Sequence, residues 1–351
     1  MEHAFGQRSA VTAKVPGLRL TAQAGAPAFY ALCYPWIIDL FHYAVGDPGT
    51  PLSGARALSA AILLITMFSV PAFGFVRACR GVADDSAHPM LDSRARRLAY
   101  AVVASPTLYC MVGVLQILVH SPVPDQVVWV IIWLVATGWA LRAPEVTGPV
   151  VQPALKKLRT AHGVAALIIL AYVSFHLANH LFAWIGQDAH TRVMDLGRTV
   201  YRSPFVEPIL VLAMLFQVTT GLVLACRLSA CQLDYYGTFQ VASGLYLSVY
   251  IFGHMNSVFV LARAYFGIDT GWDFATGAPN GLIHDPWSAR LIPHYALGVF
   301  FLIGHVFSGL RSVLLAHGVA RGAADTTWWA GAAFAALLST TIMLAMCGMR
   351  L

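Results

Sequence analysis

Charge is what this sequence has least of. Only 11% of its 351 residues are Asp, Glu, Lys or Arg, against about 25% in ordinary soluble domains, which excludes a soluble globular enzyme. Cysteine is sparse too. The six residues Cys33, Cys79, Cys110, Cys226, Cys231 and Cys347 include no CxxC pair and no Cys/His zinc spacing, and Cys110 and Cys347 fall inside apolar runs as small hydrophobes do. Neither an iron–sulfur cluster nor a disulfide framework is indicated. No stretch shows the repeated alternation of an outer-membrane barrel. The net charge of +6, from 22 basic and 16 acidic residues, matters in a membrane protein through its distribution and points to no nucleic-acid partner. The polar lead carrying Arg8, Lys14 and Arg19 does not read as a cleaved secretory signal, so the chain reads as mature from Met1.

Apolar residues are abundant: 58% of the chain is hydrophobic and the mean hydropathy is +0.68. Several runs reach the roughly 18–20 residues that cross about 30 Å of hydrocarbon as a helix. The expected fold is all-α, a polytopic transmembrane helical bundle of eight or nine spans. Those spans fall near 28–46, 57–77, 98–119, 126–142, 161–185, 204–226, 239–263, 290–316 and 327–348. The first contains Pro35, Asp39 and His42, so it can also lie at the interface or re-enter. Asp39 and His42 share a helical face and can satisfy each other.

Basic residues set the topology. Arg8, Lys14 and Arg19, then Arg77, Arg80, Arg94, Arg96 and Arg97, then Arg142, Lys156, Lys157 and Arg159 all fall on one side of a nine-span chain. Arg227, Arg311 and Arg321 continue the pattern, although Arg192, Arg198, Arg202, Arg263 and Arg290 populate the other side. The expectation is an integral protein of a bacterial cytoplasmic (inner) membrane, N-terminus inside and C-terminus outside. Two outer connections, 186–203 and 264–289, are long enough to cap a site, dock a partner or simply shield helix ends.

The second half carries an internal duplication. The helix from Ala161-His162-Gly163 to Ser174-Phe175-His176 aligns with that from Phe239-Gln240-Val241 to Phe252-Gly253-His254 at an offset of 78 residues. The helices that follow align at an offset of 88, matching Gln217-Val218 to His305-Val306. At about 1.5 Å per residue, His176 and His254 lie at matched heights near the outer edge of the hydrocarbon. Two imidazoles so placed can take opposite axial positions on one haem iron, and small residues such as Ala166 and Gly244 leave room for the ring. At the inner level His305 has Gln217 as its repeat equivalent, which breaks a second pair by strict symmetry. Another pairing restores it. His162 stands near the inner flank and 14 residues before His176 on nearly the same helical face, while the helix bearing inner His305 also carries outer His294. The candidate metal ligands are His176, His254 and His305, with His162 and His294 as further candidates; each of them can instead simply hydrogen-bond a neighbouring helix. His180 suits a role beside a ligand, and His190, His284 and His317 read as loop residues.

At these residues the sequence resembles the cytochrome b membrane-anchor subunits of succinate dehydrogenases and fumarate reductases. The likeness rests on His162-Gly163, His176-Leu-Ala-Asn-His180, the Thr-Gly-Leu and Ser-Gly-Leu-Arg phrases after positions 217 and 305, and the Ser243-Gly244 to His254 helix. It covers about 155–350. It implies that residues 151–351 form a five-helix cytochrome-b-like bundle holding one or two b-type haems and a quinone. It also implies electron transfer between quinone and soluble flavoprotein and iron–sulfur subunits. Carried over, His176 and His254 are the outer haem pair, and Gln217 and His305 occupy the inner positions, Gln217 where the family has histidine. Residues 1–150, about four spans, have no counterpart in the usual anchor and show no redox motif. Arg202 and Arg263 are candidates for the haem propionates. Tyr201-Arg202-Ser203-Pro204 with Glu207 also reads as a helix start, with Ser203 as its cap. Ser243, Tyr246, Tyr250, Asn256 and Tyr295 could each hydrogen-bond a quinone, and none is distinguished. Competing readings are a sensor or assembly protein on the same fold, with or without haem, and a transporter.

Overall fold

The computed structural model describes residues 18–80, 89–142 and 155–351; Arg8, Lys14 and the side chain of Arg19, used above for topology, lie outside them. Everything regular among the described residues is helical. The elements are α1 (Leu18–Leu32), α2 (Tyr34–Val45), α3 (Gly54–Arg80), α4 (Pro89–Val103), α5 (Ser105–Leu118), α6 (Asp125–Leu141) and α7 (Lys156–Leu181), followed by α8 (Gln187–Tyr201), α9 (Val206–Leu228), α10 (Tyr235–Met255), α11 (Trp272–Thr276), α12 (Gly281–His284), α13 (Leu291–Ala316) and α14 (Arg321–Met346).

Six helices among the described residues are long and apolar enough to cross a membrane, and α4 with α5 makes a seventh if the bent pair counts as one span. The protein is therefore a helical membrane bundle, with fewer full spans than the nine read from the sequence. Each difference has a local cause. The run 28–46 is split into two short helices at Cys33, with Pro35 in the first turn of α2. Run 98–119 is bent by 68°, where Pro106, second in α5, has no N–H to give and crowds the preceding turn. Helix α6 has 17 residues, about 25 Å at 1.5 Å each, short of the hydrocarbon thickness. Asp39 and His42 do not satisfy each other: Asp39 accepts from Gln126 Nε2 at 3.2 Å, and His42 Nδ1 is buried without a partner.

Helix ends sort by charge. At one end Arg77 donates to the Gln23 carbonyl, Arg94 to that of Trp139, Arg96 to that of Ala230 and Arg97 to that of Cys226, while Arg311 pairs with Asp325 at 2.7 Å. We call this arginine-rich end inner. The other end has Arg263 with Glu207 and Arg290 with Asp125, both at 2.6 Å. One hydrophobic core runs through both halves of the chain, from Tyr34, Tyr109 and Trp129 to Val299 and Ile342. Close helix approaches rest on glycine. A Cβ on Gly74 would stand 2.8 Å from the Ala99 carbonyl oxygen, so α3 and α4 meet backbone to backbone there. Helices α13 and α14 form the closest antiparallel pair, tied by Trp328 Nε1 donating to Ser308 Oγ at 2.7 Å and Ser339 Oγ donating to the Ala296 carbonyl at 2.6 Å.

Two long spans are capped by a side chain among the described residues: Asp234 accepts from the Gly237 N–H at 2.7 Å, and Ser53 more weakly from the Arg56 N–H at 3.4 Å. The start of α9 differs from expectation. The helix begins at Val206, two residues past Pro204; Ser203 accepts a long 3.3 Å bond from the Val206 N–H, and Glu207 sits in the first turn as expected, paired with Arg263.

Candidate functional site

Helices α7, α9, α10 and α13 bring four histidines into two pairs at two depths. At the inner level His162 of α7 faces His305 of α13, ring centroids 6.3 Å apart and planes at 81°. At the outer level His176 of α7 faces His254 of α10, centroids 6.2 Å apart and planes at 68°. Fourteen residues of α7 separate the two levels, a rise of about 21 Å.

The inner rings are held by hydroxyls from neighbouring helices. Thr220 Oγ1 lies 2.7 Å from His162 Nδ1 and donates its own proton to the Phe216 carbonyl, also at 2.7 Å. A hydroxyl has one proton to give, so the imidazole nitrogen is the donor between them. The same logic applies across the bundle. Ser243 Oγ lies 2.9 Å from His305 Nδ1 and donates to the Phe239 carbonyl at 2.7 Å. The tautomer that satisfies both hydroxyls is the one with hydrogen on Nδ1 of each inner ring, which leaves Nε2 free to act as a ligand. Glycines let the rings pack close to the neighbouring helices: a Cβ on Gly244 would stand 3.1 Å from His305 Cε1, and one on Gly221 2.9 Å from Ser248 Oγ and 3.6 Å from His162 Cε1. Gly244 therefore serves the inner level, not the outer one suggested by its offset from His254. Gln217 does not face His305 as a substitute ligand; its amide donates to the His162 carbonyl at 2.7 Å and fixes α7 against α9.

The outer rings are held by stacking. Tyr172 and Tyr250, each one turn before its histidine, lie against His176 (5.7 Å, 24°) and His254 (5.9 Å, 4°). Neither outer imidazole makes a hydrogen bond among the described residues. Both line a cavity of about 290 Å³, many times the ~10–15 Å³ that one water needs. Immediately outside His254 the helix widens to π-helical geometry over Asn256–Phe266, a departure that recurs at functional sites. Helix α7 itself buries little against protein; Leu177 and Asn179 are its buried side chains.

The remaining candidates surround this outer cavity. His294 of α13 is buried and lines it, 4.6 Å from the Tyr250 ring, with Nδ1 unpartnered; it pairs with no second imidazole. Arg202 and Arg263 both line it as well. Arg263 pairs with Glu207, and Arg202 donates to Thr270 Oγ1 at 2.8 Å and lies 3.7 Å from Asp269. Arg198, not singled out in the sequence, joins them; it donates to the Thr270 carbonyl at 3.2 Å and keeps a buried, unpartnered Nε. The 186–203 connection is helix α8, and the 264–289 connection contributes Thr270, Phe274 and Ala275 to the same wall, so the two long connections cap this end.

His190 is a correction to the sequence reading. It is no loop residue but a buried member of α8, 3.2 Å from Asn179 Nδ2 and packed on Trp272 at 4.7 Å. It bridges to His180 at 5.4 Å, and His180 in turn packs edge-on against His176 at 4.9 Å. Burial, aided by the Arg198 guanidinium, pushes the His190 imidazole down to about 4. Tyr172 was missed although it had a readable signal, because it stands at the 78-residue repeat offset from Tyr250, which the sequence singled out only as a possible hydrogen-bonding group. Thr220 and His190 had none, since their partners lie 58 and 11 positions away.

Among the described residues no group of three or more His, Cys, Asp or Glu side chains could hold a bare metal ion. Comparison with protein-family models, with curated proteins and with solved structures found no match for this chain.

Proposed function

We propose that this protein is a b-type cytochrome of the membrane that relays electrons through two haems, each gripped by one histidine pair. The separation of the rings carries this reading. Metal–imidazole bonds are about 2.0–2.1 Å, and the centroid lies about 1.1 Å behind the nitrogen, so opposed axial ligands place their centroids about 6.2–6.4 Å apart. The outer pair stands at 6.2 Å and the inner at 6.3 Å. Two protein ligands suffice for a metal that brings its own equatorial ring, which suits a chain whose histidines come in twos.

When bound, haem supplies one-electron redox chemistry, and the protein's levers are ligation, hydrogen bonding and burial. His162 and His305 would hold one haem, and His176 and His254 the other. Gly244 and Gly221 let the inner rings seat closely against α10 and α9. Arg198, Arg202 and Arg263 bring cations to the outer cavity, where propionates would otherwise lie buried and unpaired. Quinone is the redox partner this reading favours in the lipid phase, with flavoprotein and iron–sulfur subunits on the arginine-rich face, as in the succinate dehydrogenase and fumarate reductase anchors that the histidine helices resemble. By the positive-inside rule that face is cytoplasmic, with the N-terminus inside and the membrane a bacterial inner one.

The test is a dithionite-reduced minus oxidised spectrum of the protein purified in detergent, with a pyridine haemochrome count per chain. Two low-spin b-type haems are expected in the wild type. His176→Ala or His254→Ala removes one, and His162→Ala or His305→Ala the other. A well-folded preparation without haem, made under haem-replete expression, overturns the reading and leaves the bundle as a sensor or assembly scaffold.

A further inference from the structure

The two pairs are held by different chemistry, and the difference follows depth. Each inner imidazole gives its Nδ1 proton to a hydroxyl whose own proton is already committed to a backbone carbonyl. Such a hydroxyl is a stronger acceptor, and donation through one ring nitrogen raises the basicity of the other. A more basic axial nitrogen favours the oxidised iron. The outer imidazoles have no hydroxyl partner; a tyrosine face lies against each, and the His180 ring packs edge-on against His176. Charge does not separate the levels, since the three guanidiniums that line the outer cavity, Arg198, Arg202 and Arg263, are each paired with a carboxylate, Asp195, Asp269 and Glu207.

Resting on the haem reading above, we propose that Thr220 and Ser243 are positioning residues that make the inner haem the lower in potential, so that electrons run outward. With haem bound, the group held by His162 and His305 would give one electron to the group held by His176 and His254, the first oxidised and the second reduced, with no bond made and no proton moved. The reductant that refills the inner iron is an iron–sulfur or flavin protein on the arginine-rich face, and the acceptor that empties the outer iron is a quinone.

A potentiometric titration of the haem-loaded protein, followed in its visible bands, tests this. Two midpoints are expected. His305→Ala loses one haem per chain and with it the lower midpoint. Thr220→Val, which keeps shape and removes the acceptor, raises the lower midpoint and leaves the upper one fixed; each tenfold loss of ferric over ferrous preference is about 59 mV. Thr220→Ser keeps the hydroxyl and the wild-type value, and Ser243→Ala repeats the upward shift from the other ring. Disappearance of the upper midpoint in His305→Ala overturns the proposal, as does a Thr220→Val protein with both haems and unmoved midpoints. Absence of haem is seen earlier, in the haemochrome count, and overturns the underlying reading instead.

Discussion

Arg290 joins the two halves of the chain, and its replacement tests that join directly. The guanidinium precedes α13, its side chain only 9% exposed, and it meets Asp125 at the start of α6 at 2.6 Å. It also lies over two rings, 4.5 Å from the Tyr109 centroid and 4.9 Å from that of Trp287. Gly113 makes room for it, since a Cβ there would stand 2.5 Å from Nη1. Breaking a buried pair costs about 3–5 kcal/mol because the surviving charge stays desolvated, and each cation–π contact adds about 0.5–2 kcal/mol. The two partners are not equivalent. In Arg290→Ala the orphaned Asp125 can take up a proton, whereas in Asp125→Asn the guanidinium cannot lose one. The pair's own contribution is therefore seen most fully in Asp125→Asn, and the double variant Asp125→Asn/Arg290→Met recovers part of the loss. Circular-dichroism melts in detergent should show Asp125→Asn lower by roughly 6–20 °C, at about 2–4 °C per kcal/mol. A fall of under about 3 °C, or a double variant worse than both singles together, would falsify the claim that this contact fastens residues 1–150 to the rest.

Three further outcomes follow from particular contacts. Gly74→Ala forces α3 off the α4 backbone and lowers the melting point by the equivalent of about 1–3 kcal/mol, whereas Gly163→Ala, which meets nothing within 4 Å, leaves it unchanged or raised. Trp328→Phe strands Ser308 Oγ in a buried contact and costs about 1–3 kcal/mol in the same assay. His190 titrates near 4 in the folded protein and near 6.5 when unfolded. The unfolded chain therefore binds the extra proton first, and stability conferred by neutral His190 is full above that ordinary value and drains as pH falls toward 4. Protection factors of the α8 amides, with exchange rates corrected for their intrinsic pH dependence, should fall over this window in the wild type and stay flatter in His190→Phe.

The membrane architecture was legible because hydropathy over twenty residues is a strong signal, and it failed where length or proline decides. Residues 98–119 are apolar enough to look like a span, yet Pro106 stands where the run bends, and hydropathy does not weigh one missing N–H; in 28–46, Pro35, Asp39 and His42 already marked a run that can re-enter. The long-range pairs were partly legible. Matching offsets put His176 and His254 at one height, and helical phase put His162 below His176, which is enough to bring His305 a partner. Sequence could not show that Gln217 turns to the His162 carbonyl, that Gly244 belongs to the inner level, or that His190 swings inward on α8. These depend on how neighbouring helices are rotated, and rotation about a helix axis leaves hydropathy unchanged.

The repeat itself explains why the inner level looks broken and is not. By the 78-residue offset the equivalent of His162 is Gln240, and by the 88-residue offset the equivalent of His305 is Gln217. Each unit therefore keeps one inner histidine and replaces the other with glutamine, on opposite helices. Symmetry at the outer level is intact, each histidine backed by its own tyrosine, and symmetry at the inner level is crossed, one ring from each copy. The hydroxyls follow the crossing: Thr220 serves His162, while its equivalent Ser308 is taken by Trp328 of α14, and Ser243, which serves His305, answers to Ala165 in the first copy. The offsets relate inner positions to inner and outer to outer, so the exchange of histidine for glutamine breaks the symmetry within the inner level and leaves the outer level as it was.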